Sequence, residues 1–133
     1  MDAFDSDVLI YAVLDDPRGP SIRQTLAESD HWLGSMVLLP ELLTRPLRRG
    51  DDAEHRALKR LLGRFDLKPV DLEVATASVT LGATYTLRAA DAIHLATAVV
   101  WGAERFHTNN RKDFGPHITE IEIVYPASSM GRR

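Results

Sequence analysis

The sequence predicts an α/β fold: a parallel sheet wrapped by helices on both faces. Two observations carry that expectation. Short apolar stretches that suit strands alternate with longer stretches of helical pattern along the whole chain, and strands separated by helices pair in parallel through crossovers rather than as hairpins. The stretch 88–101 is apolar on nearly all sides, which suits a helix buried against such a sheet. With 133 residues and no long linker between separate folding units, a single domain over 1–133 is expected, its last few residues a flexible tail.

The elements follow in order. Residues 1–4 lead into Asp5 and suit the first strand. Residues 8–14 read as a helix capped by Asp7 or Ser6, closed by the Asp- and Pro-rich turn over 15–20. Ser21 caps a helix over 21–29, and 31–35 is the next strand. A helix over 38–47 accommodates Pro40 in its first turn, where the missing N–H is no loss; Pro46 should end or kink it. Asp51 or Asp52 caps a helix to Leu62, closed by Gly63, and 65–70 is a short strand. Asp71 caps a helix to about Leu81. Gly102 stops the apolar helix over 88–101. Residues 105–108 and 121–124 are strands, with a turn and a short helical piece around 111–114 between them.

Composition excludes several classes. The chain is 44% hydrophobic and 26% charged, ordinary for a soluble protein with a proper core. No apolar run is long enough to cross a bilayer, and no basic region precedes an apolar leader, so a cytoplasmic protein without a membrane role is expected. The absence of cysteine removes disulfides, thiolate ligands and thiol nucleophiles. With 16 basic and 19 acidic residues the net charge is −3, so the whole-molecule field does not advertise nucleic-acid binding. Arg56, Lys59, Arg60 and Arg64 recur at helical spacing and read as a wet helix face. Arg45, Arg48 and Arg49 follow Glu41 and are candidates for phosphate contact.

In parallel α/β sheets ligands bind beyond the carboxyl ends of the strands, and acids gather there. Asp5 and Asp7 follow the first strand, Glu41 the second, and the 110–113 turn the strand ending at Thr108; Asp91, in the first turn of its helix, can face the same edge. Carboxylates brought close repel and raise one another's pKa unless a cation neutralises them. Oxygen ligands suit Mg²⁺ or Mn²⁺, and no His-Cys or HExxH spacing supports zinc. Such an ion can activate water against a phosphodiester without a covalent intermediate. A structural role explains Asp7, as a helix cap, better than a ligand role does; Asp5 precedes that cap and is harder to explain. Glu41 sits beside Leu38, Leu39, Leu42 and Leu43 and needs a partner. Asp91 opens a helix too apolar for a mere surface cap. His94 reads as a packed, hydrogen-bonded histidine rather than a ligand, and His107 has no stronger claim.

Four segments in this order, Asp5-Ser6-Asp7-Val8-Leu9-Ile10-Tyr11, Pro40-Glu41-Leu42, Ala90-Asp91-Ala92-Ile93-His94-Leu95-Ala96-Thr97-Ala98 and Thr108-Asn109-Asn110-Arg111-Lys112-Asp113-Phe114, together resemble a PIN domain. The likeness is specifically to VapC-type toxin ribonucleases of VapBC toxin–antitoxin pairs, and it runs from Asp5 to about Val124. It implies a three-layer α/β/α sandwich with a mostly parallel five-stranded sheet. It also implies a Mg²⁺- or Mn²⁺-dependent endoribonuclease acting on tRNA or rRNA, a homodimer, and a VapB-type antitoxin partner. The implied metal ligands are Asp5, Glu41, Asp91 and a fourth acid. Many PIN domains carry that acid two residues after the Thr, where this chain has Asn110; Asp113 is the candidate replacement, with Asn110 or Asp7 contributing through water. Thr108 could orient water or phosphate.

Two other readings compete. A PIN scaffold could bind RNA or a partner without cutting. Asp5-Ser6-Asp7 also resembles the Asp-x-Asp of haloacid-dehalogenase-like phosphatases, although Leu9 stands where Thr or Val is usual and no catalytic Lys stands out.

Overall fold

The computed structural model describes residues 1–128. All five expected strands form: β1 (Asp2–Phe4), β2 (Trp32–Ser35), β3 (Asp66–Lys68), β4 (Arg105–His107) and β5 (Glu122–Val124). They make one sheet in the order β3-β2-β1-β4-β5, and each neighbouring pair is parallel. The helices are α1 (Ser6–Val13), α2 (Gly19–Glu28), α3 (Leu38–Arg49), α4 (Asp52–Leu62), α5 (Leu72–Tyr85) and α6 (Ala89–Val100).

Side chains alternate between the two faces of a strand, and β1 divides the core accordingly. Phe4 packs with Val8 and Leu9 of α1, Ile22 and Leu26 of α2, Leu38 and Leu42 of α3, and Leu58 and Leu62 of α4. Ala3 faces the other way, with Leu33 and Phe106, against Val74 and Leu81 of α5 and Leu95, Ala96 and Ala98 of α6. The result is the expected three-layer α/β/α sandwich. From β1 the chain builds outward to β2 and β3, then crosses to β4 and β5 on the other side. The carboxyl ends of β1 and β4 therefore flank the switch point where such sheets bind ligands. The Asp5 amide, bonded to the His107 carbonyl at 2.9 Å, closes the two strands together there.

Several local expectations are corrected. Asp5, not Asp7 or Ser6, caps α1: its backbone is extended and its carboxylate accepts the Ser6 N–H at 2.8 Å. α2 begins at Gly19, before Ser21, because Pro20 fits a first turn that has no use for its N–H. α3 runs through Pro46 to Arg49 and ends at Gly50, whose φ of 71° suits a residue without a Cβ; the Pro46 ring is buried, and one missing backbone bond near the helix end is tolerated. β3 is shorter than 65–70 because Pro69 cannot donate to a ladder. α5 continues past Leu81 to Tyr85; Gly82 is its point of close approach to α6, where a Cβ would lie 3.4 Å from the Ala92 Cβ. Residues 111–113 form a turn without a helix. The flexible tail expected at the end of the chain lies outside the described residues. Among the described residues no helix is long and apolar enough to cross a membrane.

Candidate functional site

The junction between β1 and α1 is tied to the loop after β4 by side chains from both. Asp5 is 4% exposed; one carboxylate oxygen accepts the Ser6 N–H and the other the Thr108 hydroxyl, at 2.8 and 2.9 Å. The same Thr108 oxygen accepts the Asn110 N–H at 3.0 Å. Asn110 donates from Nδ2 to an Asp113 carboxylate oxygen at 2.9 Å, while its Oδ1 accepts the Asp113 N–H at 3.2 Å. Asp7 spans the gap a second time, accepting from Val8 N at 2.7 Å and from Asn109 N at 3.1 Å. It is a loop staple rather than the helix cap.

The other two acids come from helices on opposite faces of the sheet. α6 carries Asp91 and, three residues on, His94, which is 3% exposed. His94 Nε2 lies 2.5 Å from Glu41 Oε1 of α3, so the imidazole donates to the carboxylate across the edge of the sheet. The sequence places Glu41 in mostly apolar surroundings, but its side chain remains 29% exposed while the imidazole is 2% exposed. The histidine is the buried partner; the acid reaches it from the rim.

These groups share one electrostatic field. Burial raises the pKa of Asp5, and the Glu41 charge adds to that, against the opposing pull of His94, Thr108 and the Ser6 amide. Burial raises Asp7 to about 6, helped by the charges of Asp5 and Asp91 and opposed by its amide donors. Asp91 is raised by burial and then by Asp5, Asp113 and Glu41, with His94 opposing. Burial alone would lower His94, yet its bond to Glu41 and the charges of Asp5, Glu41 and Asp91 outweigh that and raise it. The three acids move in the same direction: the edge is short of positive charge.

Among the described residues no three His, Asp or Glu side chains are set in an arrangement that could hold a metal ion. Glu41 turns to His94, and Asp5 to Thr108 and the Ser6 amide. The donor chemistry nevertheless fits a hard divalent cation, being a set of carboxylates that burial and mutual repulsion disfavour as bare anions. Thr108 is fully buried, with its hydroxyl between Asp5 and Asn110, so it is not placed to meet substrate directly. Arg45 and Arg48 are exposed along α3, and Arg49 pairs with Glu54 at 3.4 Å.

Sequence reasoning did not find the partners of these acids. Nothing local marks His94 as the partner of Glu41, 53 residues away, nor Thr108 as that of Asp5. A second buried network also escapes it: Asp2, 2% exposed, accepts from Arg105, His107 and Ser29. Its strand position, within an apolar lead, resembles a core residue more than an anchored charge.

Residues 3–115 match the family model for the PIN domain. A toxin–antitoxin complex from Klebsiella pneumoniae contains a chain similar to this one, at 26% identity and a TM-score of 0.74 over 92% of this chain and 100% of that one. VapBC2 from Rickettsia felis, solved bound to a DNA fragment from its promoter, shares 16% identity with a TM-score of 0.77 over 95% of this chain and 98% of that one. Mycobacterium tuberculosis VapC20, a sarcin-ricin loop cleaving toxin, shares 16% identity with a TM-score of 0.66 over 80% of this chain and 87% of that one. The last two likenesses are likenesses of fold. No curated protein matches the chain.

Proposed function

The chain belongs to the PIN domain family, and on that premise we propose that it is the toxin of a toxin–antitoxin pair, a metal-dependent endoribonuclease working in the cytoplasm. The observation that carries the reading is the shared field of Asp5, Glu41, Asp91 and Asp113 at the switch point of the sheet, where burial and like charge push Asp5 and Asp91 toward the protonated state. Those four residues would hold Mg²⁺, with Mn²⁺ as a substitute. The bound ion would neutralise the acids, polarise a phosphodiester and activate water for hydrolysis.

The chain's own residues prepare that site. Thr108 and the Ser6 amide hold both oxygens of Asp5 at the end of β1, and Asp7 pins the loop after β4. His94 holds Glu41 at the edge from beneath. Arg45 and Arg48, exposed beyond Glu41 on α3, would meet substrate phosphates as a salt-dependent positioning contribution without reading sequence. tRNA or rRNA is the substrate class, a VapB-type antitoxin the inhibitor, and a homodimer the assembly.

One observation favours a second reading, a PIN scaffold that binds RNA without cutting it: the acids are not set around a common point as they stand. The phosphatase reading is disfavoured, because Asp5 is buried with both oxygens engaged and is poorly placed as a nucleophile.

Incubation of purified protein with cellular RNA, with Mg²⁺ or with EDTA, separates these readings. Cleavage is expected with Mg²⁺, and EDTA and Asp5→Asn are each expected to abolish it while leaving the fold intact. RNA binding without cleavage under every condition would establish the scaffold instead.

A further inference from the structure

Asn110 stands two residues after Thr108, where an acid would be expected to ligate a cation. We infer that Asn110 is instead a positioning residue, whose side-chain amide orients the Asp113 carboxylate that completes the acidic edge; the inference rests on the metal-site reading above. Both ends of the amide are engaged with Asp113. Its Oδ1 accepts the Asp113 N–H at 3.2 Å, and a backbone N–H can only donate, so the oxygen of the amide must be the end that faces it. Nδ2 is thereby turned to the Asp113 carboxylate, at 2.9 Å.

The loop around this pair is anchored at both ends. Upstream, the Asn110 N–H reaches the Thr108 hydroxyl that also donates to Asp5. Downstream, Phe114 N bonds the Asn110 carbonyl at 2.9 Å, and Phe114 itself is fully buried. A continuous run of hydrogen bonds therefore links Asp5 through Thr108 and Asn110 to Asp113. Asp113 in turn lies close enough to Asp91 for its charge to act on it. Charge explains the amide. An aspartate in place of Asn110 would set another carboxylate oxygen where Nδ2 now lies 2.9 Å from Asp113, in a field already crowded with anions. An amide supplies a donor that fixes Asp113 without adding to the repulsion.

A double-mutant cycle read by Mn²⁺ binding tests this, with free Mn²⁺ followed by electron paramagnetic resonance. Asn110→Ala is expected to weaken binding about 10-fold, as loss of an outer support of a ligating carboxylate does. In an Asp113→Ala background the same change should add less than about twofold, because the residue acts through Asp113. An undiminished penalty in that background would make Asn110 a ligand in its own right and overturn the inference, as would tighter Mn²⁺ binding by Asn110→Asp. A second readout needs no metal: crystal structures of metal-free wild type and Asn110→Ala should show the Asp113 carboxylate displaced in the variant. An undisturbed Asp113 sinks the positioning role. Should wild type bind no Mn²⁺ while Asp113 is displaced in the variant, the metal reading fails and the positioning role stands.

Discussion

Glu41 and His94 depend on each other unequally. The imidazole is buried and has its carboxylate at 2.5 Å, whereas Glu41 also reaches solvent. Removing the acid strands a buried polar ring, and an unsatisfied buried group costs about 1–3 kcal/mol. Glu41→Ala is therefore expected to lose that much stability, while Glu41→Gln, which keeps an acceptor, should stay within about 1 kcal/mol of wild type. On the proposed metal-site reading both should lose RNA cleavage, since neither a methyl group nor a neutral amide replaces a ligating carboxylate. Urea unfolding of the two variants checks the difference, and equal stability losses would show that His94 does not rely on Glu41. Asp2 supplies a second contrast. Burial would raise its pKa, but Arg105, His107 and Ser29 together hold it well below the usual carboxylate range. Its stabilisation is thus fully present above the unfolded carboxylate value and is lost as pH falls through the lower folded value. Asp2→Asn should cost about 2 kcal/mol at neutral pH, a figure discounted for the solvent contact of Arg105, and should flatten the acid limb of the stability curve measured by denaturant titration below about pH 4. A parallel acid limb in the variant would assign acid sensitivity elsewhere. At this scale the sequence shows which residues are charged in unexpected places and not what they touch. Asp5 and Asp7 lie two residues apart with the same side chain, so helix phase alone decides that one caps and the other crosses to Asn109.

Secondary structure is more legible than contacts because its signals are local. Asp51 and Asp71 cap their helices as expected, each accepting the N–H three residues on, Glu54 and Val74, and all five strands lie where apolar stretches alternate with helical ones. The misses come from residues whose effect depends on packing. Pro46 reads as a stop or a kink in the sequence, yet α3 continues three residues beyond it with the ring buried. The pattern of α5 fades near Leu81, whereas the helix ends at Tyr85, capped by Thr86 with a φ of 56°. That cap is a β-branched residue in the left-handed region, where a side chain costs roughly 1–2 kcal/mol. Thr86→Gly relieves the strain at the cost of a more flexible unfolded chain, for a net gain of about 0.5–1 kcal/mol. Thermal melting should show a rise of a few degrees. A fall would mean that the Thr86 side chain contributes more than its backbone costs.

At the scale of the whole molecule, the proposed metal site implies that protons and a divalent cation would compete for the same acids. The pKa values of Asp5 and Asp91 are raised and that of Asp7 reaches about 6, burial being the largest cause for each. His94 is raised as well, by Glu41 and the surrounding acids. A group with a raised folded pKa binds more protons folded than unfolded, so its contribution to stability falls as pH rises through the folded value. The carboxylates and His94 therefore act in the same direction: without a cation these groups should weaken the fold as pH climbs through their raised folded values, about 6 for Asp7. His107 works the other way, since burial lowers its pKa and the unfolded chain takes up the proton first on acidification. It bonds Asp2 rather than the acids at the site, so its effect cancels when melting is compared with and without cation at one pH. A bound cation needs its carboxylates deprotonated and releases their protons, so its stabilisation should be small at about pH 5 and larger at about pH 7.5. Differential scanning fluorimetry with Mg²⁺ or Mn²⁺ against EDTA at the two pH values measures that directly, and Asp5→Asn should shrink the shift at the higher pH. An equal shift at both pH values, retained in Asp5→Asn, would place the bound cation away from these acids and detach the electrostatic strain at the sheet edge from metal binding.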